Sequence, residues 1–230
     1  MPAETWTAVD QYLASLLVGS DSTLDAALKA NATAGLPSID VSPTQGKLLQ
    51  LLVRLKDARS ILEMGTLGGY STIWLARGLP DDGRLITLEV NPAYAEVARS
   101  NIARAGLAEL VEVRVGPALE SLQHLAAEDL DPFDMIFIDA DKKTTPEYFA
   151  WALKLSRPGT LIVTDNVVRG GNLIDRESPD PNAQGMRTFV ERLAEEPRVI
   201  ATVIQTVGSK GYDGFAIALV TDGSATARSA

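Results

Sequence analysis

Several predicted strands of this 230-residue chain end on acidic, amide or glycine residues. Glu89 ends one strand-like run, Asp139 ends another, and the pair Asp165-Asn166 follows a third. In open α/β sheets, ligands bind at the carboxyl ends of the strands, so these side chains are candidates for one shared site. Taken singly, each could cap a turn, as Asp and Asn commonly do. Their coincidence at strand ends favours a binding site.

The oxygen-bearing side chains among these residues suit a hard cation. Asp139, Asp165 and Asn166 supply three side-chain oxygens, which predicts a Mg²⁺ site with open coordination positions. Lys142 lies beside this cluster in the sequence. The chain has no cysteine, and its single histidine, His124, is far from these positions, which argues against zinc.

A glycine-containing loop, residues 65–69, follows the first predicted strand. Such a loop lets the backbone approach a ligand before a helix N-terminus, although by itself it could be only a tight turn. Its G-x-x-G-G spacing differs from the dinucleotide fingerprint G-x-G-x-x-G. Glu89 can accept both hydroxyls of a ribose. Glu63, just before the glycines, would repel a diphosphate and attract a cationic ligand. These features favour S-adenosylmethionine over NAD.

Short β-rich runs alternate with helical ones from Ser60 onward. The predicted strands are Ile61–Glu63, Arg84–Glu89, Val111–Val115, Phe133–Asp139, Thr160–Thr164, Val199–Val207 and Phe215–Val220. Alternation at this spacing indicates βαβ units, and therefore a Rossmann-like, doubly wound, mostly parallel α/β sheet with helices on both faces. The short glycine-containing loop between the last two runs predicts an antiparallel hairpin at one edge.

One domain, residues 1–230, is predicted to contain this sheet. Residues 1–58 form a helical preface, 59–220 hold the α/β core, and 221–230 form a loose tail. Apolar residues at helical spacing predict a first helix that ends at Gly19; they are Trp6, Val9, Leu13, Leu16 and Leu17. Ser42 is predicted to cap a later helix whose buried face comprises Leu48, Leu49, Leu51, Leu52 and Leu55. Residues 167–185 predict a long loop, either a lid or rim of the site or a solvated connection.

Composition excludes several classes of protein. Hydrophobic residues at 46% and charged residues at 22% are typical of a folded chain rather than a disordered one. The net charge of −9 argues against nucleic acid as a partner, because phosphate binding needs clustered Lys and Arg. No apolar run approaches the ~20 residues that span a bilayer, and no signal-peptide pattern is present. We therefore expect a cytoplasmic protein that binds neither nucleic acid nor membrane.

Four sequence runs together match one known family. They are Ile61-Leu62-Glu63-Met64-Gly65-Thr66 with Gly69-Tyr70-Ser71-Thr72, Ile138-Asp139-Ala140-Asp141-Lys142, Arg157-Pro158-Gly159 through Asp165-Asn166-Val167, and Asp213-Gly214. Over residues 38–220 the chain resembles the class I S-adenosylmethionine-dependent, divalent-cation-dependent O-methyltransferases of the catechol and caffeoyl-coenzyme A type.

This resemblance implies transfer of the methyl group of S-adenosylmethionine to a hydroxyl of a small molecule, such as a catechol or another vicinal diol chelated by Mg²⁺. It implies that the methyl donor contacts Val41, Glu63, Gly65, Thr66, Ser71, Glu89, Ala118 and Asp139. The implied metal ligands are Asp139, Asp165 and Asn166, and the implied general base is Lys142. A homodimer is also implied.

Two departures from the family pattern and two alternative functions remain. Pro117 stands where the family often has Asp, and Lys143-Thr144-Thr145 replaces a frequent Asn-Tyr pair.

A nucleotide-dependent oxidoreductase on a related fold is one alternative function, and the oxygen-rich cluster weighs against it. A non-catalytic nucleoside-binding protein is the other, although such a protein would not need the complete cluster around Lys142. Catechols, flavonoids, coenzyme A esters, and sugar or polyketide diols all fit the predicted acceptor.

Overall fold

A seven-stranded sheet runs through residues 3–223, the part of the chain that the computed structural model describes. Its strands are β1 (Ser60–Met64), β2 (Arg84–Glu89), β3 (Val111–Val115), β4 (Phe133–Ile138), β5 (Ser156–Asp165), β6 (Val199–Gly208) and β7 (Gly211–Val220). They lie in the order β3-β2-β1-β4-β5-β7-β6, with β1 to β5 parallel and β7 antiparallel to both of its neighbours. This confirms the predicted mostly parallel α/β sheet with a terminal antiparallel hairpin.

Helices cover both faces of the sheet. They are α1 (Ala3–Leu17), α2 (Ser22–Thr33), α3 (Pro43–Lys56), α4 (Tyr70–Ala76), α5 (Pro92–Arg104), α6 (Ala118–Ala127), α7 (Thr145–Lys154) and α8 (Pro181–Glu195). Alternate residues of the central strands point to opposite faces, as the pleat requires. Ile61 and Phe137 pack with α2 to α5, whereas Leu62 and Ile136 pack with α6 to α8. The sheet is thus doubly wound.

The helical preface is confirmed, but the predicted buried face of α3 is partly wrong. The apolar stripe of α1 is exposed: its residues Val9, Leu13, Leu16 and Leu17 are between 41% and 69% accessible. In α3, Ser42 caps the helix by accepting a hydrogen bond from the backbone of Gln45 at 3.2 Å, as predicted. The buried side of α3 comprises Gly46, Leu49 and Val53, with Gly46 against the ring of Trp74. Leu48 and Leu52 are partly buried beside it, whereas Leu51 and Leu55 are exposed.

The segment 167–185 departs in part from the predicted loop. The predicted loop 167–185 is interrupted by a 3₁₀ turn, Arg169–Ile174, and ends at Pro181, where α8 begins. Asp180 caps α8 by accepting from the backbone of Asn182 at 2.9 Å, a helix start that the polar sequence concealed. Residues 224–230 of the predicted loose tail, 221–230, lie outside the described residues. None of the described helices is long and apolar enough to cross a bilayer.

Helix α1 is tied to two distant parts of the chain by Asp10. Its carboxylate accepts a hydrogen bond from Thr44 Oγ1 at 2.9 Å, at the start of α3. It also accepts from Ser209 N at 3.1 Å and Ser209 Oγ at 2.6 Å, in the tight turn between β6 and β7. In that turn, Lys210 Nζ donates to the backbone oxygen of Ser38 at 3.4 Å. The hairpin therefore holds both α1 and the segment that leads into α3.

Candidate active site

A cavity of about 770 Å³ opens at the carboxyl ends of the parallel strands. Nine of the residues that the sequence predicts for the site line it: Val41, Gly65, Thr66, Ser71, Glu89, Ala118, Asp139, Lys142 and Asn166. Cavities of roughly 300–1,000 Å³ hold small-molecule ligands and cofactors in proteins. The other two predicted residues, Glu63 and Asp165, are buried behind the cavity wall.

Gly65 brings the tip of β1 against the tip of β4. Its φ of +97° lies in the region that favours glycine, and a Cβ there would be 2.3 Å from the backbone oxygen of Asp139. Its N–H donates to the backbone of Leu88 at 3.0 Å, and Asp139 N donates to the backbone of Met64 at 2.8 Å. The glycine loop and Asp139 are therefore fixed to one another.

Glu89 connects the glycine loop to the end of β2. Its Oε2 accepts a hydrogen bond from Leu67 N at 2.8 Å, and its Oε1 accepts from Asn91 N at 2.9 Å. Leu67 has φ +50°, an uncommon conformation for a non-glycine residue. Each carboxylate oxygen has a further lone pair, so Glu89 can hold the loop and still accept hydrogen bonds from a ligand.

Glu63 lies behind the residues that line the cavity. It is fully buried beneath the glycine loop. Its Oε1 accepts from Ser71 Oγ at 2.7 Å, and its other oxygen accepts from the hydroxyl of Thr72. Burial raises the pKa of Glu63 to about 7, against the hydrogen bonds that lower it. The side chain therefore joins β1 to α4, and its predicted contact with the methyl donor stays a prediction.

We expect Glu63→Gln to change how the stability of the chain depends on pH. The raised folded-state pKa means that the folded chain holds this proton more tightly than the unfolded chain, whose value is near 4.5. The free energy of unfolding of the wild type therefore falls between about pH 4.5 and pH 7, as the buried carboxyl ionises. The free energy of unfolding of the variant minus that of the wild type should therefore rise by about 2–3 kcal/mol from pH 5 to pH 8.

Urea unfolding of both proteins across this pH range measures that difference. Glu109→Gln, at an exposed position, is the matched control and should leave the curve unchanged. Parallel stability curves for the wild type and Glu63→Gln would contradict the prediction.

The predicted metal ligands lie together at the ends of β4 and β5. Burial and the charge of nearby Asp139 raise the pKa of Asp165 to about 7. Lys142 Nζ lies 2.6 Å from Asp139 Oδ1, and both side chains are at most one-fifth exposed. Asn166, at φ +56°, lines the same cavity. Two carboxylates and one lysine are thus grouped at the ends of β4 and β5.

This donor set fits a hard divalent cation. Within residues 3–223, no three His, Cys, Asp or Glu side chains are grouped so as to hold a metal. The two carboxylates therefore need a third ligand of another type, which the amide oxygen of Asn166 can supply. Two close carboxylates disfavour each other's ionised form, and a bound cation would relieve that repulsion.

The turn that carries Lys142 is supported from two sides. Asp141 accepts hydrogen bonds from the hydroxyl of Tyr148 at 2.5 Å and from the hydroxyl of Thr144. On the other side, a Cβ at Gly185 of α8 would be 2.5 Å from the backbone oxygen of Lys142 and 2.5 Å from Lys143 Cα. Only glycine lets α8 approach the turn this closely. The position of Lys142 is therefore set by the fold.

Several residues of the cavity wall were missed by the sequence analysis. They include Ile39, Asp40, Tyr94, Tyr148 and Arg169. Tyr148 lies at helical spacing after Asp141, and Arg169 follows Asn166 closely, so proximity to the predicted cluster was a usable signal for both. The segment around Asp40 carried no such signal. It reaches the cavity because Asn31 of α2 donates to Asp40 at 2.9 Å.

Comparisons with known proteins agree with this architecture. A family model described as O-methyltransferase matches residues 18–219. The catechol O-methyltransferase of Niastella koreensis is 54% identical over 220 residues, which cover 96% of this chain and 100% of that relative.

Two solved structures are also similar over nearly the whole chain. An O-methyltransferase from Bacillus cereus, in complex with SAH, has 63% identity and a TM-score of 0.95, covering 96% of this chain and 100% of that one. The O-methyltransferase TomG from Streptomyces achromogenes, involved in tomaymycin synthesis and solved with SAM, has 56% identity and a TM-score of 0.93, with coverage of 96% and 99%. These matches confirm the resemblance inferred from the motifs, and the chain belongs to the O-methyltransferase family.

Proposed function

We propose that this chain transfers the methyl group of S-adenosylmethionine to one hydroxyl of a small vicinal diol, such as a catechol, held beside Mg²⁺. The observation that carries the proposal is the single cavity that joins Glu89 and the glycine loop to Asp139, Lys142 and Asn166. The end of the cavity at Glu89 and the glycine loop suits a nucleoside. The end at Asp139, Lys142 and Asn166 suits a cation and a hydroxyl. Catechol methylation by the Niastella koreensis relative, as its name states, supports this acceptor class.

The methyl donor occupies the part of the cavity around β1 and β2 in this proposal. Glu89 accepts hydrogen bonds from the ribose hydroxyls, through the lone pairs that the N–H groups of Leu67 and Asn91 do not use. Ala118 lies at the start of α6 and contacts the adenine. Pro117 precedes it and has no N–H to donate, so the adenine contact is largely apolar there. Val41, Gly65, Thr66 and Ser71 surround the methionine end.

The acceptor occupies the part around β4 and β5. Asp139, Asp165 and Asn166 hold the cation, which when bound would polarise the acceptor hydroxyl as a Lewis acid. Asp139 can bind it and still accept from Lys142, because a carboxylate offers about four lone-pair sites. Lys142 Nζ, in its neutral amine form, takes the hydroxyl proton and becomes the ammonium, and the fixed turn around it holds the oxygen in line with the methyl group. Positioning of this kind contributes up to about 7–11 kcal/mol to barrier reduction.

A test of this function measures transfer of labelled methyl from S-adenosylmethionine to catechol with Mg²⁺ present. Phenol, which has one hydroxyl and cannot chelate, is the matched acceptor. We expect methylated product from catechol and little from phenol. No product from any vicinal diol in a broad screen would refute the proposal.

We expect Glu89→Ala to weaken binding of S-adenosylhomocysteine about 5- to 150-fold without any metal present. The change leaves the ribose hydroxyls and the N–H groups of Leu67 and Asn91 without an acceptor, at about 1–3 kcal/mol for each buried group left unpaired. Titration calorimetry in the presence of EDTA measures the affinity. Glu96→Ala on α5 is the exposed control and should bind as the wild type does. Unchanged affinity in Glu89→Ala would remove this residue from the donor site.

The homodimer and the cytoplasmic location stay predictions. The exposed apolar stripe of α1 supports association with a second copy, because a stripe of this kind on a soluble helix normally packs against something.

A further inference from the structure

Arg169 is a charged residue of the cavity wall without a partner. Its side chain is partly buried, and its Nε is inaccessible yet makes no hydrogen bond. Among residues 3–223, its guanidinium forms neither a hydrogen bond nor an ion pair. A buried polar group left unpaired is costly, and arginine presents five N–H donors. An unpaired arginine that faces a ligand cavity therefore points to an anionic partner.

None of the described carboxylates of the wall pairs with Arg169, and each accepts hydrogen bonds from other groups. Asp139 is paired with Lys142, and Glu89 with two backbone N–H groups. Asp141 is held by Tyr148, and Asp40 by Asn31. Among residues 3–223, Arg169 is thus the one partly buried cation of the cavity wall that is free to bind a ligand group.

The backbone around Arg169 is held in a strained conformation. Its φ of +55° is uncommon for a residue with a side chain. The conformation is supported by Asp213, whose Oδ1 accepts hydrogen bonds from Val168 N at 2.9 Å and Arg169 N at 3.0 Å. Gly214 N also donates to this oxygen at 2.9 Å. Strain of this kind persists where surrounding structure enforces it, and it is concentrated at binding and catalytic sites.

Arg169 lies on the acceptor side of the cavity. It follows β5, whereas the proposed ribose ligand Glu89 ends β2. Strands β1 and β4 separate β2 from β5 in the sheet, so three strand spacings, or about 14 Å, lie between the two strand ends. Asn166, a proposed metal ligand, lies only three residues before Arg169. A ligand group that reaches Arg169 therefore belongs to the acceptor.

We propose that Arg169 binds a carboxylate of the methyl acceptor, so that the preferred substrates are vicinal diols that carry an acidic group. This inference rests on the proposed function. Arginine matches a carboxylate with two parallel hydrogen bonds, which fixes orientation as well as affinity. Arg169 would thereby also select which of the two hydroxyls is presented to the methyl group.

The test compares two acceptors with the same ring: a catechol with a ring carboxylate, and the methyl ester of that compound. Values of kcat/KM are measured for the wild type, Arg169→Gly and Arg169→Lys with saturating S-adenosylmethionine and Mg²⁺. Glycine adopts a positive φ without strain, so the first variant removes the guanidinium and preserves the backbone. Arg176→Gly, at an exposed position of the following loop, is the matched control.

We expect kcat/KM for the acid to fall about 10- to 100-fold in Arg169→Gly, while the value for the ester changes less than about threefold. Arg169→Lys keeps the positive charge but loses the two parallel N–H donors. Its kcat/KM for the acid should therefore lie between those of the wild type and Arg169→Gly. Equal losses for acid and ester, or weaker binding of S-adenosylhomocysteine, would overturn the anion subsite. If the wild type methylates neither acceptor, the proposed function itself fails, which separates the two conclusions.

Discussion

Lys142→Ala is expected to lower turnover about 10²–10⁴-fold, which is the usual contribution of a positioned general base. The structure supports this expectation because Lys142 Nζ lies 2.6 Å from Asp139, on a turn held by Asp141 and by Gly185. The turn is set by backbone and neighbouring side chains, so removal of the amine should leave the fold and the affinity for S-adenosylhomocysteine unchanged. Single-turnover kinetics with saturating acceptor measures the chemical step directly.

Lys143 provides a matched control for this variant. It lines the same cavity from the next position but is exposed and makes no ion pair within residues 3–223. Lys143→Ala should therefore keep turnover within a few-fold of the wild type, since exposed charges contribute about 0–1 kcal/mol. Wild-type turnover in correctly folded Lys142→Ala would assign proton removal to solvent.

Removal of divalent cations should reduce turnover by about 10³-fold or more, because the charge that develops on the acceptor oxygen would lose several kcal/mol of stabilisation. Addition of Mg²⁺ in excess of the chelator should restore it. Asp165→Ala should reproduce the loss even with Mg²⁺ present, while S-adenosylhomocysteine binds as tightly as to the wild type. Calorimetric titration of Mg²⁺ gives a second measurement that does not depend on activity.

Asp131→Ala serves as the control for loss of one acidic residue, because Asp131 is exposed and distant from the cavity. It should keep both Mg²⁺ binding and turnover. Full activity of the wild type in EDTA, with metal shown to be absent by elemental analysis, would refute the metal site.

The core of the fold could be predicted because its signals are local. Strands such as Arg84–Glu89 are bounded by turn residues on both sides, and Asn91-Pro92 starts the next helix with a cap and a proline. The buried side of α3 could not be predicted, since it depends on Gly46 facing Trp74, a residue of another helix. The exposed stripe of α1 illustrates the same limit: periodicity shows that a helix is amphipathic but not what covers it.

The candidate site was predictable where chemistry and strand ends coincide. Asp139 and Asn166 follow strands and reach the cavity as expected. Glu63 also ends a strand, but its side chain points beneath the loop, because hydroxyls of α4 hold both of its oxygens. Arg169 was missed because its role depends on a left-handed backbone that Asp213 supports from β7. The spacing of a motif shows neither which face of a strand a side chain takes nor which distant residue will hold a loop by hydrogen bonds.

The contacts of the β6–β7 turn have a consequence for how the protein folds during synthesis. Asp10 and Ser209 are 199 positions apart, so at ribosomal rates of 5–20 residues per second about 10–40 s separate the two. Until the hairpin is made, α1 lacks its hairpin partner and the Ser38 segment is unanchored, and β5, once synthesised, has an open edge. A nascent chain that ends before residue 209 already contains the glycine loop and every proposed metal ligand. It still lacks Asp213, which holds the backbone of Val168 and Arg169 at the acceptor side of the cavity, so binding of an acceptor should report the final event of folding.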